Sequence, residues 1–262
     1  MGRRQFALLG LALLSPPRTA PAQAEPIAIF AAASLKDAFT EAGAVVAQRR
    51  PGFEVRFNFA GSQQLALQID QGAEADLFAA ADDRSMRTLG EKGLLADPAV
   101  IFARNRLVVI VPAANPGRVD RLSDLAKTGL KLVLAAAAVP VGRYSREALD
   151  RMAGADEFGP DFAARVLRNV VSQEDNVKAV VAKVQLGEAD AGIVYVSDVT
   201  APVRRVVRQL AIPDPYNPIA TYPVAVLARS THKPAARTFV DFLLSAEGQQ
   251  LLERHGLLPA AP

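Results

Sequence analysis

The 262-residue chain contains no cysteine, no tryptophan and only two histidines, His232 and His255. The absence of cysteine excludes a disulfide framework, a thiolate metal site and a cysteine nucleophile. Two histidines leave little material for a zinc site or for a Ser-His-Asp triad. The GxSxG, GxGxxG, P-loop and HExxH motifs are also absent from the sequence. The composition therefore disfavours most hydrolase chemistry, and we expect neither an enzyme activity nor a cofactor.

An excess of positive charge is also missing once the positions of the charges are considered. The chain has 30 Lys and Arg against 27 Asp and Glu, a formal charge of +3. Arg3, Arg4 and Arg18 supply that excess, and they lie in the first 24 residues, which hold no Lys, Asp or Glu. The rest of the chain is formally neutral, so nothing in its charge predicts a nucleic-acid partner.

The first 24 residues have the pattern of a signal peptide. Two arginines precede an apolar run over residues 6–14, which is too short to span a membrane. Ala22-Gln23-Ala24 then offers the small-x-small pattern that signal peptidases cleave. We therefore predict a signal peptide over residues 1–24, cleavage after Ala24 and a periplasmic location, with the Sec and twin-arginine routes both open. No later stretch of 18 or more apolar residues occurs, so we expect the mature chain to be soluble.

The mature chain alternates β-type apolar runs with helical patterns, which predicts an α/β fold with largely parallel sheets. The opening reads β-α-β-α-β, with strands over 27–32, 54–59 and 76–80 and helices over 34–49 and 62–71. Further strands are predicted over 107–111, 130–136, 192–195, 206–210 and 221–228, and helices over 143–152, 162–169, 176–186 and 234–255. No low-complexity linker occurs, which indicates lobes joined by strands that cross between them.

Four turns bring small or hydroxylated residues to the start of a predicted helix. They contain Ser34, the pair Gly61-Ser62, the stretch from Val139 to Tyr144, and the stretch from Ser172 to Val177. Each helix start offers unpaired backbone N–H groups and the positive end of the helix dipole, which together bind oxyanions. In α/β sheets such turns gather at the carboxyl edges of the strands, where ligands bind. The four turns together predict an anion site built from neutral donors.

Simpler interpretations of the same residues remain open. A serine at a helix start is most often an N-cap, which stabilises the helix by about 1 kcal/mol and has no further role. Val141 and Val177 are ordinary core or turn residues by themselves. Tyr195 ends an apolar strand and is equally consistent with a buried tyrosine whose hydroxyl is satisfied. The acidic pair Glu174-Asp175 is typical of a first helical turn, where carboxylates complement the dipole.

The motifs resemble those of the periplasmic molybdate-binding proteins of ABC transporters. The resemblance covers residues 27–258 and rests on four stretches in the same order, Ala31-Ala32-Ala33-Ser34-Leu35, Phe59-Ala60-Gly61-Ser62, Val139-Pro140-Val141-Gly142 and Gly187 to Tyr195. It implies a two-lobed type II solute-binding fold, each lobe a mostly parallel sheet flanked by helices, with the ligand cleft between the lobes. We expect lobe 1 over 25–105 and 224–262, and lobe 2 over 106–223.

The resemblance also implies the site and its partners. Molybdate, and tungstate with it, is expected to bind through the hydroxyls of Ser34 and Ser62, the backbone N–H groups of Val141 and Val177, and the hydroxyl of Tyr195. Molybdenum is then held as its oxyanion, with no direct protein–metal bond. The protein is expected to be a monomer that delivers the anion to a membrane permease.

The sequence departs from the family pattern at two positions. Gln63 follows Ser62 where the family often has a second serine, and Asn176 stands where some members have aspartate; both are candidates for tuning selectivity.

The first alternative function is the binding of another oxyanion or small solute on the same fold. The second is a secreted enzyme that uses Glu174, Asp175 and Tyr195. Distant relatives bind the metal six-coordinate with carboxylates, a role for which Glu174 and Asp175 are the candidates.

Overall fold

The computed structural model describes residues 26–260 of the chain. The predicted signal peptide, residues 1–24, and its cleavage site lie outside the described residues. Eleven strands occur in the described part: β1 Ile27–Ala32, β2 Val55–Ala60, β3 Leu77–Ala79, β4 Val100–Asn105, β5 Leu107–Pro112, β6 Leu132–Ala135, β7 Val170–Glu174, β8 Ala191–Tyr195, β9 Val207–Ala211, β10 Ala220–Val226 and β11 Leu258–Pro259.

Nine α-helices accompany these strands within residues 26–260. They are α1 Lys36–Arg49, α2 Ser62–Asp70, α3 Asp83–Glu91, α4 Pro140–Ala153, α5 Phe162–Arg168, α6 Val177–Gln185, α7 Ala201–Arg204, α8 Lys233–Leu244 and α9 Ala246–Arg254. None of the helices in this range combines the length and the apolar character needed to cross a bilayer.

The strands form two separate sheets. The first sheet has the order β11-β4-β10-β3-β1-β2 and the second the order β7-β6-β8-β5-β9. The predicted fold class is confirmed, but the sheets are mixed and not mostly parallel. Strands β1, β2 and β3 pair in parallel in the first sheet, as do β6, β7 and β8 in the second. The remaining pairs are antiparallel.

The antiparallel pairs have a topological cause. The chain leaves the first sheet after β4 and returns to it as β10, and these two strands are neighbours. Strands β5 and β9, which are the first and the last strand of the second sheet along the chain, are also neighbours. A strand that leaves and a strand that returns at the same place run in opposite directions. The chain therefore changes sheet at Arg106 and again between Ala211 and Ala220. The lobe boundaries expected from the sequence stay a prediction.

The core is apolar on both faces of the central strands. All residues of β1 and of β5 are buried, which explains why both strands appear in the sequence as continuous apolar runs. Phe39 of α1 packs among other phenylalanine rings, with centroid distances of 5.6 Å to Phe102 and 5.3 Å to Phe239. This packing fixes α1, and with it the turn that precedes the helix, against the first sheet.

Several elements differ from the sequence prediction. The long closing helix is two helices, because the Ser245 side chain accepts a hydrogen bond from the N–H of Gly248 and caps α9. A Cβ on Gly248 would lie 1.9 Å from the carbonyl oxygen of Phe242, so this corner requires glycine. Helices α3 and α7 and strands β4, β7 and β11 were not predicted. Strand β7 includes Ser172 and Glu174, which pair with β6 and do not belong to the helix start.

Candidate functional site

One small cavity lies between the carboxyl ends of the parallel strands of the two sheets, where ligands bind in α/β folds. Its volume is about 10 Å³. It is lined by Ala32, Ala33, Ser34, Ala60, Gly61, Ser62, Ala81, Val139, Pro140, Val141, Asn176, Val177 and Tyr195. All five predicted site residues are in this set. A cavity of this size suits a compact ligand of few atoms, because extended organic solutes occupy sites of roughly 300 to 1,000 Å³.

Ser34 stands on the first-sheet side of the cavity. It lies in a short 3-10 turn, Ala33–Leu35, between β1 and α1. The cap position of α1 is Leu35, so Ser34 does not cap that helix. The Oγ of Ser34 lies 3.0 Å from the hydroxyl of Tyr222, and the serine is only 4% exposed. The capping interpretation is therefore wrong for this serine.

Ser62 occupies the neighbouring position on the same side. It is the first residue of α2, whose cap is Gly61. The Oγ of Ser62 accepts a hydrogen bond of 3.0 Å from the N–H of Ala81, which follows β3. Because the serine oxygen is engaged with another loop and not with its own helix, the capping interpretation is wrong here too. A hydroxyl that already accepts a hydrogen bond keeps its own hydrogen for donation.

Val141 lies on the second-sheet side, in the first turn of α4. Pro140 opens this helix and has no N–H, so the first free N–H of the helix belongs to Val141. The third residue, Gly142, allows the helix to start close to β6, since a Cβ there would lie 2.4 Å from the carbonyl oxygen of Ala135. The turn thus places the N-terminus of α4 directly at the cavity.

Val177 begins α6 on the same side. The side chain of Asn176 caps this helix by accepting a hydrogen bond of 3.1 Å from the N–H of Ala179. The cap satisfies the N–H of Ala179, which is one of the first N–H groups of the helix. The N–H of Val177 lies earlier in the same first turn. The valine side chain itself is buried in the core. Val177 therefore contributes packing through its side chain and, at the cavity, a backbone donor.

Tyr195 ends β8 and completes the second-sheet side. Its side chain is 1% exposed, and its hydroxyl oxygen has no hydrogen-bond partner among residues 26–260. Burial raises the pKa of Tyr195 well above its usual value, so the hydroxyl keeps its proton. The interpretation of Tyr195 as a buried tyrosine with a satisfied hydroxyl is therefore wrong within the described chain. An unpartnered buried hydroxyl costs free energy unless a ligand completes it.

Among residues 26–260, no charged side chain lines the cavity, although two ion pairs of Lys178 lie close by. Lys178, next to Val177, lies 2.9 Å from Asp37 of α1 and 3.3 Å from the buried Asp198. Burial lowers the pKa of Lys178, but the charges of Asp198 and Asp37 outweigh it and leave the pKa raised. Burial raises the pKa of Asp198 to about 6 against the opposing effect of Lys178. The ammonium group thus joins the two sides of the cavity at its rim.

Two further contacts join the sides. Arg143 of α4 donates a 3.0 Å hydrogen bond to Asp82, which caps α3 on the first-sheet side. Gln63 Nε2 donates a 3.2 Å hydrogen bond to the carbonyl oxygen of Asp175. Gly61 passes so close to that carbonyl that a Cβ would lie 2.5 Å from it. The two sides are therefore in contact around the cavity, as in a closed cleft.

The acidic pair does not face the cavity. Glu174 lies 2.9 Å from Lys183 and accepts a hydrogen bond of 2.6 Å from Ser172. Partial burial raises the pKa of Glu174, but these two hydrogen bonds outweigh it and lower the pKa. Asp175 takes part through its backbone carbonyl. Among the residues that the structure describes, no group of three or more His, Cys, Asp or Glu is placed to hold a metal ion.

Sequence reasoning missed Tyr222 and Asn105. Both are fully buried, and Asn105 Nδ2 lies 3.2 Å from the hydroxyl of Tyr222, which in turn contacts Ser34. Tyr222 lies in the middle of an apolar strand, and Asn105 ends the strand at which the chain changes sheet. Neither position belongs to a recognisable motif, so no signal in the sequence marked them.

Comparisons with known proteins identify the family of this chain. Residues 27–258 match the model of the bacterial extracellular solute-binding protein family. The molybdate-binding protein ModA of Mycobacterium tuberculosis is 38% identical over 233 residues, which cover 89% of this chain and 84% of that protein. This relative confirms the resemblance drawn from the motifs.

Two solved structures show the fold. The sulfate-binding protein SubI of Mycobacterium tuberculosis superposes with a TM-score of 0.80 at 19% identity, covering 90% of this chain and 88% of that one. The periplasmic molybdate-binding protein of Azotobacter vinelandii superposes with a TM-score of 0.76 at 18% identity, covering 88% and 98%. Identities this low bear on the fold alone. On the family match and the ModA relative, the chain belongs to the bacterial extracellular solute-binding protein family.

Proposed function

We propose that this protein binds molybdate, and tungstate with it, in the cavity between the two sheets and delivers the anion to the permease of an ABC transporter. The observation that supports this most is the convergence of two serine hydroxyls, two helix N-termini and the unpartnered Tyr195 hydroxyl on one compact cavity. All of these groups are hydrogen-bond donors. A small, fully deprotonated oxyanion is the ligand that such a set complements.

The proposed ligand groups are the hydroxyls of Ser34, Ser62 and Tyr195 and the backbone N–H groups of Val141 and Val177. Hydrogen bonds from neutral donors to a charged acceptor are worth roughly 1.5 to 3 kcal/mol each. Five of them contribute roughly 8 to 15 kcal/mol, which offsets an association cost on the order of 4 to 15 kcal/mol. The N-termini of α4 and α6 add the positive ends of two helix dipoles.

Neutral donors also suit the release that transport requires. In the proposed cycle, lobe 1 (25–105 and 224–262) and lobe 2 (106–223) separate when the permease favours the open form. The rim contacts of Lys178 with Asp37 and of Arg143 with Asp82 break in that step. Since the cavity lining within residues 26–260 carries no charged side chain, opening the cleft separates the two sets of neutral donors and removes most of the stabilisation of the anion.

Export and processing belong to the same proposal. A solute-binding protein of this family works outside the cytoplasm, and the sequence pattern of residues 1–24 supports a signal peptide cleaved after Ala24. The mature protein then begins at Glu25 and acts in the periplasm as a monomer without a cofactor.

Binding of another tetrahedral oxyanion, sulfate above all, is the second candidate. It is favoured by the donor-only cavity, which complements any fully deprotonated oxyanion. Selection between the two anions rests on size, because the shorter bonds of sulfate hold its oxygens farther from the donors. An enzyme role gains no support from the position of Glu174, which is paired with Lys183 away from the cavity.

A thermal-shift titration of the mature protein with molybdate, tungstate, sulfate and phosphate tests the proposal. A ligand at 100 times its dissociation constant stabilises the folded protein by about 2.7 kcal/mol, which raises Tm by several degrees for a chain of this size. We expect that rise with molybdate and tungstate and not with sulfate or phosphate. An equal rise with sulfate identifies a general oxyanion-binding protein, and no rise with any of the four anions contradicts the proposal.

A further inference from the structure

A row of buried polar side chains extends from the cavity to the place where the chain changes sheet. The Oγ of Ser34 lies 3.0 Å from the hydroxyl of Tyr222. Asn105 Nδ2 lies 3.2 Å from that hydroxyl and 2.8 Å from the Oγ of Ser197. All four side chains are buried, and Ser197 follows Tyr195 by two positions. The row therefore starts at one proposed ligand residue and ends beside another, on the opposite side of the cavity.

The backbone fixes the orientation of the amide in this row. The N–H of Arg106 donates a 2.9 Å hydrogen bond to Asn105 Oδ1. With the amide oxygen held there, the NH₂ group of Asn105 faces Tyr222 and Ser197. An amide NH₂ group can only donate, so the oxygen of Tyr222 accepts from Asn105. The direction of the hydrogen bond between Asn105 and Tyr222 is thereby determined.

The remaining hydrogen bonds follow from that direction. The hydroxyl of Tyr222 has one hydrogen, and Ser34 is its other hydrogen-bonding neighbour. A buried O–H group without an acceptor costs free energy, so the arrangement in which Tyr222 donates to the Oγ of Ser34 is the one that satisfies both hydroxyls. The pKa of Tyr222 is raised, by burial first and by the charge of Asp198 second, so its proton is retained across the neutral pH range. Ser34 is left with its own hydrogen to donate, and the cavity is the space that it lines.

Ser62 reaches the same state in a different way. The N–H of Ala81 donates to its Oγ at 3.0 Å, so the hydrogen of the Ser62 hydroxyl also stays free to donate into the cavity. At Ser62 the backbone sets the direction, whereas at Ser34 a tyrosine side chain does so. Because phenylalanine can replace the Tyr222 ring without its hydroxyl, the arrangement at Ser34 can be tested directly.

We propose that Tyr222, held by Asn105, is a positioning residue that fixes the Ser34 hydroxyl as a hydrogen-bond donor to the bound oxyanion. This inference rests on the proposed function and deepens it. Without the hydrogen bond from Tyr222, the Ser34 hydroxyl is free to rotate. It then presents a lone pair to the anion for part of the time and binds it less well. Tyr222 itself touches no ligand in this scheme.

A double-mutant cycle with Tyr222→Phe and Ser34→Ala tests the proposal, with dissociation constants for sodium molybdate measured by calorimetry. Phenylalanine preserves the edge-to-face packing of the ring on Phe102 and Tyr195. We expect Tyr222→Phe to weaken molybdate binding by about tenfold when Ser34 is present. In the Ser34→Ala background we expect the same substitution to change the dissociation constant less than about twofold, because coupled residues are not additive.

A merely structural role for Tyr222 gives a different result, since a general loosening of the core weakens binding by the same factor in both backgrounds. That outcome, or unchanged binding by Tyr222→Phe, overturns the inference. Tyr216→Phe is the matched control, because the Tyr216 hydroxyl donates to Glu157 away from the cavity. Asn105→Ala is a second variant, which removes the donor to Tyr222; we expect it to weaken binding only when Ser34 is present.

The outcomes also separate this inference from the proposed function. If the unsubstituted protein does not bind molybdate, the proposed function fails. If it binds molybdate and Ser34→Ala weakens the binding while Tyr222→Phe does not, the proposed function stands and only the positioning role of Tyr222 fails.

Discussion

The rings of Tyr195 and Tyr222 meet edge to face across the cavity wall, with their centroids 5.8 Å apart. Both side chains are buried, yet their hydroxyls differ. The Tyr222 hydroxyl contacts Ser34 and Asn105, whereas the Tyr195 hydroxyl has no partner within the described residues. One tyrosine is thus part of the protein's own hydrogen-bond network, and the other is left for a ligand.

Replacing Tyr195 with phenylalanine should therefore affect binding and stability differently. We expect Tyr195→Phe to weaken molybdate binding by about tenfold or more, since it removes one hydrogen bond to a charged ligand. The unliganded protein should keep its free energy of unfolding or gain up to about 1 kcal/mol, because no protein hydrogen bond is lost. Calorimetry and urea unfolding measure the two quantities. A clear loss of stability with unchanged affinity would show that the hydroxyl serves the fold.

Both serines should contribute to binding, and neither caps its helix. Ser62→Ala also leaves the buried N–H of Ala81 without its acceptor, which should cost about 1 to 3 kcal/mol of stability. We expect Ser34→Ala and Ser62→Ala each to weaken molybdate binding by about ten- to a hundredfold, the cost of one hydrogen bond to a charged acceptor. Circular dichroism should show the same helix content in both variants and in the double variant. Ser245→Ala is the contrasting control, because Ser245 does cap α9; it should lower stability by about 1 kcal/mol and leave affinity unchanged. Full affinity in the double serine variant would exclude these hydroxyls as ligands.

Glycine at position 61 should be required for the closed form and not for folding. A Cβ there would lie 2.5 Å from the carbonyl oxygen of Asp175 on the other side of the cavity. We expect Gly61→Ala to weaken molybdate binding by about tenfold or more. The added methyl group pushes the two sides apart, so the closed form that binds the anion is less populated. Gly90→Ala is the matched control, since a Cβ at Gly90 makes only an ordinary 3.5 Å contact with Leu95. Equal dissociation constants for the two variants would contradict a closed cleft of this geometry.

The buried carboxyl of Asp198 should leave a signature in the pH dependence of stability. Its pKa is raised from 3.8 to about 6, chiefly by burial. Between these two pH values the folded protein holds a proton that the unfolded chain has released, so this group's contribution to the free energy of unfolding falls as pH rises through that window. Relative to Asp198→Asn, the unsubstituted protein should lose a few kcal/mol at most between about pH 4 and pH 6. A stability difference that is constant across this window would contradict the raised pKa.

Local patterns in the sequence predicted the parts of the site that depend on strand-to-helix turns. Apolar runs and the motifs after them placed Ser34, Ser62, Val141 and Val177 at helix starts, and the structure gathers these residues at one cavity. Such turns are predictable because the carboxyl ends of parallel strands lie at one edge of a sheet. The ligand roles of these residues stay a prediction.

Features that depend on contacts between distant segments were not predictable. Tyr222 and Asn105 are separated from Ser34 by 188 and 71 positions, and only the return of β10 beside β4 and β3 brings them together. The mixed sheets have the same origin, since the two crossing strands must run in opposite directions. The break between α8 and α9 depends on the packing of Gly248 against Phe242, which a helical periodicity does not reveal.

A calorimetric titration of the mature protein with molybdate, repeated at two salt concentrations and with sulfate in place of molybdate, tests the central claim most directly. Because no charged side chain in the described part of the chain lines the cavity, we predict one molybdate per chain, a micromolar or lower dissociation constant that changes little between low and high NaCl, and no saturable heat with sulfate. Binding that is absent, that collapses in salt, or that is equally tight for sulfate would contradict a compact site of neutral donors selective for molybdate.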